Sequence, residues 1–309
     1  MPIEFGVPQG SILGPLLFVL YINDLPDVVQ HAKIVLYGDD TALLFAAKSV
    51  TDIQFFLNQD LQKVANWLED NHLTLNVSKT KCMLLGTRAK VDNAMAMDIS
   101  LFGKVLEQVV IFKYLGIWLD QYMSWEKHID AMAAKISQRL GVLRRVSLFI
   151  SKYARVVLYN TIVLPIFDYC DIVWSNCTKS QLDKLQKLQN RAARIILFKE
   201  NRTPIADMFH ELNWKNLETR HRYHQAVLMY KVMNNQAPPY LKNMFTSVSN
   251  LHQYSTRQSM YNLHLTCGKS VSSQRTFSFR GTKTWNNLPN ELKISPTLAT
   301  FKSNYWKCQ

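Results

Sequence analysis

The chain has 309 residues, 48% of them hydrophobic and 19% charged, and carries a formal net charge of +13. Such a chain buries a large core in about two domains. Its longest apolar stretches, Ile12 to Ile22 and Val156 to Trp174, are interrupted by Gly14 and Pro15 and by Asn160, Asp168 and Asp171. Both fall short of the roughly 20 uninterrupted apolar residues of a membrane span, which excludes that class.

The first element in chain order is a shaped loop. Phe5-Gly6-Val7-Pro8-Gln9-Gly10-Ser11 carries two glycines and a proline and runs into the apolar segment Ile12 to Tyr21. Ser11 is a good N-cap, and Pro15 falls in the first turn, where its missing N–H costs little. The expectation is a rigid loop feeding a buried helix that ends near Asp24-Leu25-Pro26, with Asp24 and Asp27 as helix-terminating residues. Glycine-rich loops at helix starts let backbone N–H groups approach a phosphate or a base.

Next comes Tyr37-Gly38-Asp39-Asp40, set between the strand-like runs Ile34 to Tyr37 and Thr41 to Phe45. Glycine turns without a Cβ penalty, so a hairpin is predicted. Two readings of its tip are open. Asp and Gly are ordinary turn residues. Alternatively, apolar flanks bury one face of the hairpin, and its two charges need a partner. Magnesium fits that role, because it prefers one or two carboxylates plus substrate phosphates.

Residues 51–68 place apolar side chains at 53, 56, 57, 61, 64, 65 and 68, a helical spacing with Thr51 as its cap and Trp67 in the core. Lys79 and Lys81 alternate along an extended segment and are expected on one face. From Trp125 onward the pattern is largely helical, with periodic segments at 127–146, 152–166 and 180–197. In the last of these Leu182, Leu185, Leu188, Ala192, Ile195 and Ile196 line one face, while Lys184, Lys187, Arg191 and Arg194 lie on others. That basic side is either a solvated face or a track for a nucleic-acid backbone. Asn234 to Tyr240 reads as a connection.

Charge is divided unevenly. Residues 1–120 hold nine Lys/Arg against thirteen Asp/Glu, a net of −4, and residues 121–309 hold 27 against ten, a net of +17. A basic half neutralises backbone phosphates, and cations offset the carboxylates of an acidic half. The five cysteines form no Cys-x2-Cys pair, and Met1-Pro2-Ile3-Glu4 has no signal-peptide pattern. Reduced thiols in an intracellular protein are expected, with nucleus and cytoplasm both open. His221 and His224 share a helix face without a nearby ligand pair, so no metal site is expected there.

Four blocks, taken in order, resemble the reverse transcriptases of non-LTR (LINE-like, jockey-type) retrotransposons. They are Gly6-Val7-Pro8-Gln9-Gly10-Ser11-Ile12-Leu13-Gly14-Pro15, Tyr37-Gly38-Asp39-Asp40, Leu73 to Cys82, and Phe112-Lys113-Tyr114-Leu115-Gly116-Ile117. Arg280 to Pro289 is similar to the block that closes such reading frames. The family usually has Ala where this chain has Gly38.

The resemblance implies an α+β fold. Residues 1–120 would be the C-terminal part of a polymerase palm, an antiparallel sheet with packing helices, and residues 121–309 a basic, mainly helical thumb-like region. It implies RNA-templated addition of deoxynucleotides to a primer 3′-hydroxyl by a two-metal magnesium site. Asp39 and Asp40 would be the catalytic metal ligands. Gly6, Pro8, Gln9, Gly10 and Ser11 would contact nucleotide and template, with Lys79 near the triphosphate. Phe112, Lys113, Tyr114, Leu115 and Gly116 would hold the primer, and Lys184, Lys187, Arg191 and Arg194 are candidates for backbone contact. The implied partners are an RNA template, a DNA primer and deoxynucleoside triphosphates, with no membrane. In this family a further essential Asp lies upstream of the first block, and this chain begins five residues before that block. The expectation is therefore a fragment that is inactive alone. A non-catalytic nucleic-acid-binding remnant and a protein-interaction scaffold are the rival readings, and the oligomeric state is open.

Overall fold

A computed structural model describes residues 10–250, 261–265, 268 and 270–308. Along the chain it divides into two compact units, the boundary falling between Met123 and Ser124.

The first unit opens with α1 (Gly14–Tyr21), a 3-10 turn at Leu25–Val28, and the hairpin β1 (Lys33–Tyr37) and β2 (Asp40–Leu44). α2 (Val50–Asp70) follows, then β3 (Lys81–Cys82), α3 (Arg88–Val91), β4 (Ser100–Leu101), β5 (Lys104–Val105), β6 (Glu107–Gln108), β7 (Ile111–Tyr114) and β8 (Ile117–Asp120). Among the described residues these strands form four separate two-stranded sheets, three antiparallel and one, β3 with β6, parallel. The single antiparallel sheet expected from the sequence is replaced by short ribbons, and those of β1–β2 and of β4 pack against a helix.

That helix is α2. Ser49, not Thr51, is its N-cap, and its hydroxyl accepts the Asp52 N–H. Two turns of apolar periodicity then bury Val64, Trp67 and Leu68 against Ile22, Leu25, Ile34, Leu36 and Leu43. Leu61 and Ala65 pack with Met97, Ile99, Leu101 and Leu106. Trp67 is core, as its spacing predicts. Asp60 is a fully buried carboxylate on the same helix, and it accepts the backbone N–H groups of Gln30, His31 and Ala32 at 3.0, 2.9 and 2.7 Å.

α1 departs from expectation. Its N-cap is Leu13 rather than Ser11, and it ends at Tyr21, before Asp24. It is also not a buried helix: Leu13, Leu16, Leu17, Val19, Leu20 and Tyr21 are all exposed. A segment that is apolar all round buries only the side that meets a core. Here that side is Phe18 and Ile22.

The second unit is helical. It contains α4 (Glu126–Val146), α5 (Lys152–Ile162), α6 (Leu164–Asp168), α7 (Asp171–Trp174), α8 (Lys179–Leu197), α9 (Ile205–Leu212) and α10 (Leu217–Met233). α11 (Pro239–Lys242), α12 (Val271–Gln274), α13 (Phe277–Asn286), α14 (Asn290–Lys293) and α15 (Leu298–Tyr305) complete it. The predicted helix at 152–166 is broken at Val163, ahead of Pro165, which has no N–H to continue the ladder. α8 starts in a capping box between Thr178 and Gln181 and stops where Phe198 turns left-handed. Leu185, Ala192 and Ile196 are wholly buried, as are Ile129, Ile136, Leu140 and Leu143 of α4. Each such leucine or isoleucine contributes roughly 1.5–3 kcal/mol. A second core joins α10, α13 and α15 through Met229, Tyr230, Trp285, Phe301 and Tyr305. Gly281 allows α13 this close approach, since a Cβ there would lie 2.7 Å from the Met229 sulfur. No described helix is long and apolar enough to cross a membrane.

Candidate functional site

The Tyr37–Asp40 tip is built by the β1–β2 ribbon. Tyr37 pairs with Asp40 across the last rung, and Gly38-Asp39 makes the two-residue turn with Gly38 at φ +58°. Two-residue hairpin turns need such a positive φ, which explains the glycine. Ile34, Leu36 and Leu43 face the α2 core, so one face of the ribbon is half-buried. Asp39, Asp40 and Tyr37 are nevertheless exposed. The sequence argument that burial of the hairpin forces its charges to find a partner therefore fails, because the carboxylates project into water beyond the buried rungs.

No hydrogen bond or ion pair from the described residues engages either carboxylate. Two adjacent free carboxylates are a donor set of hard oxygens, which fits a magnesium ion that retains several waters or phosphate oxygens. Among the described residues no third acid or histidine joins Asp39 and Asp40 as a possible ligand.

The other sequence-predicted residues are placed as follows. Gly6, Pro8 and Gln9 lie outside the described residues. Gly10 is exposed at φ +85°, a conformation that glycine tolerates, and the Ser11 hydroxyl accepts the Leu13 N–H at 3.3 Å. Lys79 and Lys81 do not alternate along a strand, because Asn76 folds residues 76–80 into a turn and accepts the Lys79 N–H. Lys79 is exposed at that turn, whereas Lys81 opens β3 and pairs with Glu107 at 2.5 Å.

Phe112, Lys113 and Tyr114 lie in β7, and Leu115-Gly116 forms the turn to β8 with both residues at positive φ. Phe112 pairs with Leu119, and Lys113 lies across from Trp118 with its ammonium 5.8 Å from the indole. In α8, Lys184 is tied to Asp130 at 2.5 Å, and Arg194 is half-buried. Lys187 and Arg191 are exposed and make no ion pair among the described residues.

Sequence reading missed a cluster in the second unit. Asp168, Asp171 and His224 come within ligand-sharing distance of one another, although 53 residues separate Asp171 from His224. The histidine does have a nearby pair of acids, contrary to expectation. Their charges are already matched, however. Arg220 donates to both oxygens of Asp168 at 3.2 and 2.6 Å, and His224 Nδ1 meets Asp171 at 2.6 Å. A guanidinium in this position makes the cluster a poor cation site.

Residues 1–119 match the reverse transcriptase (RNA-dependent DNA polymerase) family. The chain is 35% identical over 204 residues to the probable RNA-directed DNA polymerase from transposon BS of Drosophila melanogaster, covering 62% of this chain and 22% of that protein. It is 30% identical over 206 residues to the RNA-directed DNA polymerase from mobile element jockey of the same species, covering 63% of this chain and 22% of that protein. Over 257 residues it is 26% identical to the probable polymerase from the X-element, covering 76% and 27%. The chain thus spans about a fifth to a quarter of the length of these relatives. No solved structure matches it.

Proposed function

Through residues 1–119 the chain belongs to the reverse transcriptases of non-LTR retrotransposons, and from that premise we propose that it is a polymerase fragment whose Asp39 and Asp40 hold catalytic magnesium. The observation that carries this reading is the hairpin tip, where both carboxylates are exposed, adjacent and unengaged by any described cation. In this reading residues 1–120 are palm and residues 121–309 a thumb-like region. Magnesium bound there would supply charge stabilisation to the attacking and leaving oxygens of nucleotidyl transfer.

The protein's own contribution is positional. The rigid β1–β2 turn fixes two carboxylates at one point, and the buried rungs Ile34 and Leu43 hold that turn against α2. Gly10 would admit a close backbone approach by template or nucleotide, Lys79 would offer a cation to a triphosphate, and the β7–β8 hairpin at Phe112 to Gly116 would hold a primer end. Lys187 and Arg191 are the α8 cations best placed to meet a backbone, since Lys184 is already paired with Asp130.

Two carboxylates without a third acid among the described residues make an incomplete two-metal clamp, so we propose that the 309-residue chain does not extend a primer alone. The test is primer extension on an RNA template with purified protein and magnesium. No product above background is expected, together with manganese binding that Asp39→Ala/Asp40→Ala removes. Extension that disappears in Asp39→Ala would overturn the inactivity and keep the metal site. Manganese binding unchanged in the double variant would overturn the metal site itself.

The net charge of +17 on residues 121–309 favours a second reading, nucleic-acid binding without catalysis. It predicts salt-dependent RNA binding that is indifferent to Asp39→Ala.

A further inference from the structure

A cavity of about 470 Å³ opens in the helical unit between α10 and α13, walled at its ends by Ser175, after α7, and by α8 and α15. Its volume falls within the roughly 300–1,000 Å³ of small-molecule sites. Its lining is mixed, with Leu182 and Leu288 beside three cationic side chains. These are Arg280 and Lys283 of α13 and Arg222 of α10, and the one acid of the lining, Glu218, is paired with Arg222 at 3.2 Å.

Three features mark this as more than a wet crevice. The first is Arg280, which is partly buried without a carboxylate ion pair among the described residues. Its guanidinium donates to the Ser175 hydroxyl at 2.7 Å and weakly to the Gln225 carbonyl at 3.5 Å, both neutral acceptors. Burial disfavours its charge, and Asp171, the carboxylate that acts on it, is already engaged by His224. A buried cation of this kind is costly until an anion joins it.

The second feature is the side-chain amide of Gln225, whose nitrogen has no hydrogen-bond partner among the described residues although the residue is only 4% exposed. The third is His221, which is 6% exposed with Nε2 equally unpartnered. Buried polar atoms left unpaired in a native fold call for a missing partner. All three residues line one cavity, whose mouth carries the exposed Lys283.

We propose that this cavity binds the phosphate of one nucleotide unit, with the Arg280 guanidinium and Gln225 amide as buried donors and Arg222 and Lys283 at the rim. A guanidinium fork matches phosphate geometry, and a cavity of this size has room for the attached nucleoside. The phosphate comes either from a nucleic-acid strand or from a free nucleotide. All the residues that line it belong to the helical unit, and the proposal does not rest on the Asp39-Asp40 hairpin.

The test uses the full chain, a fluorescently labelled single-stranded oligoribonucleotide followed by anisotropy, and adenosine monophosphate followed by calorimetry. Arg222→Gln/Lys283→Gln removes two exposed charges and spares the core. Lys135→Gln/Lys179→Gln makes the same charge change at exposed positions that do not line the cavity. The pocket variant is expected to lower the slope of log affinity against log salt by about 0.7, the share of one phosphate on a single strand, and to weaken strand binding about tenfold. The control pair should fall well short of that.

Loss of strand binding that adenosine monophosphate cannot compete for assigns the site to a strand, and loss of monophosphate binding assigns it to a free nucleotide. If neither probe separates the pocket variant from the control, the proposal is overturned. The metal-site reading is tested separately by manganese binding, so its failure is distinguishable from failure of this one.

Discussion

The Asp60 carboxylate accepts the backbone N–H of Ala32 at 2.7 Å, tying the middle of α2 to the residue just before β1. The same carboxylate accepts the N–H groups of Gln30 and His31, so one buried side chain satisfies three consecutive donors. Those donors end a loop, and the strand that follows carries Tyr37 to the hairpin tip. The position of the candidate metal ligands therefore depends on an acid that has no part in metal binding.

Asp60→Ala should accordingly be among the costliest substitutions in the first unit. It strands three inward-facing N–H groups, and a loss of roughly 2–4 kcal/mol is expected from chemical denaturation. Asp60→Asn, which keeps one acceptor oxygen, should lose less. The pH response has a definite sign. Burial raises the Asp60 pKa, but the backbone donors outweigh it and bring the net value below the ordinary 3.8. A carboxylate depressed on folding stabilises the protein above its unfolded pKa, and that stability is lost as pH falls through the lower folded value. The Asp60→Asn protein should show a flatter acid limb than the parent, and identical limbs would sink the assignment.

Gly38→Ala tests the backbone of the turn. A Cβ there meets nothing within 4 Å, so the cost is purely conformational, from φ +58°. About 1–2 kcal/mol is expected, visible as a lowered thermal midpoint with manganese binding by Asp39 and Asp40 retained. A gain in stability would mean that the turn relaxes to another type, as exposed two-residue turns sometimes can.

His221 supplies a second pH signature, in the helical unit. It packs edge-on to the buried Trp174 at 4.9 Å. Burial first, then the nearby His224, Arg280 and Arg220, push its pKa down from the ordinary 6.5 to about 3. The folded state keeps it neutral while the unfolded chain protonates near 6.5. Stability from this residue is thus fully present above about pH 6.5 and is lost as pH falls toward 3, at about 1.4 kcal/mol per pH unit. His221→Phe keeps the ring against Trp174 and removes the proton. Its stability should be less sensitive to pH over that window, measured by urea unfolding at a series of pH values.

Local periodicity explains why some of this was legible in the sequence. The apolar spacing of residues 53–68 and 182–196 gives α2 and α8, and Gly38 gives the hairpin turn, because each is decided by residues within a few positions. The carboxylates of Asp39 and Asp40 were legible by their neighbours in the chain and by family likeness. Contacts across long separations were not. Asp60 reaches a loop 28 to 30 residues upstream. Arg220 meets Asp168 across 52 residues, and Arg280 meets Ser175 across 105, so the Arg280 to Pro289 block was legible as a motif while the cavity it helps to line was not. The exposure of α1 was hidden for another reason. An all-round apolar segment reads as buried whatever surface it is given.

That exposed surface carries the last prediction. Leu16, Leu17, Val19 and Leu20 are 57%, 46%, 51% and 64% exposed on successive faces of α1, and Ile12 ahead of it is 95% exposed. A contiguous apolar patch on this scale is a site of association rather than an ordinary surface. The purified chain is expected to self-associate as its concentration rises, measured by light scattering coupled to size exclusion. Leu16→Gln/Leu20→Gln should shift the chain toward monomer while changing folding stability by no more than about 0.5 kcal/mol, since neither residue belongs to a described core. A parent protein that stays monomeric at high concentration would show that α1 is covered in solution. A double variant that unfolds would show that these leucines are part of a packed interior.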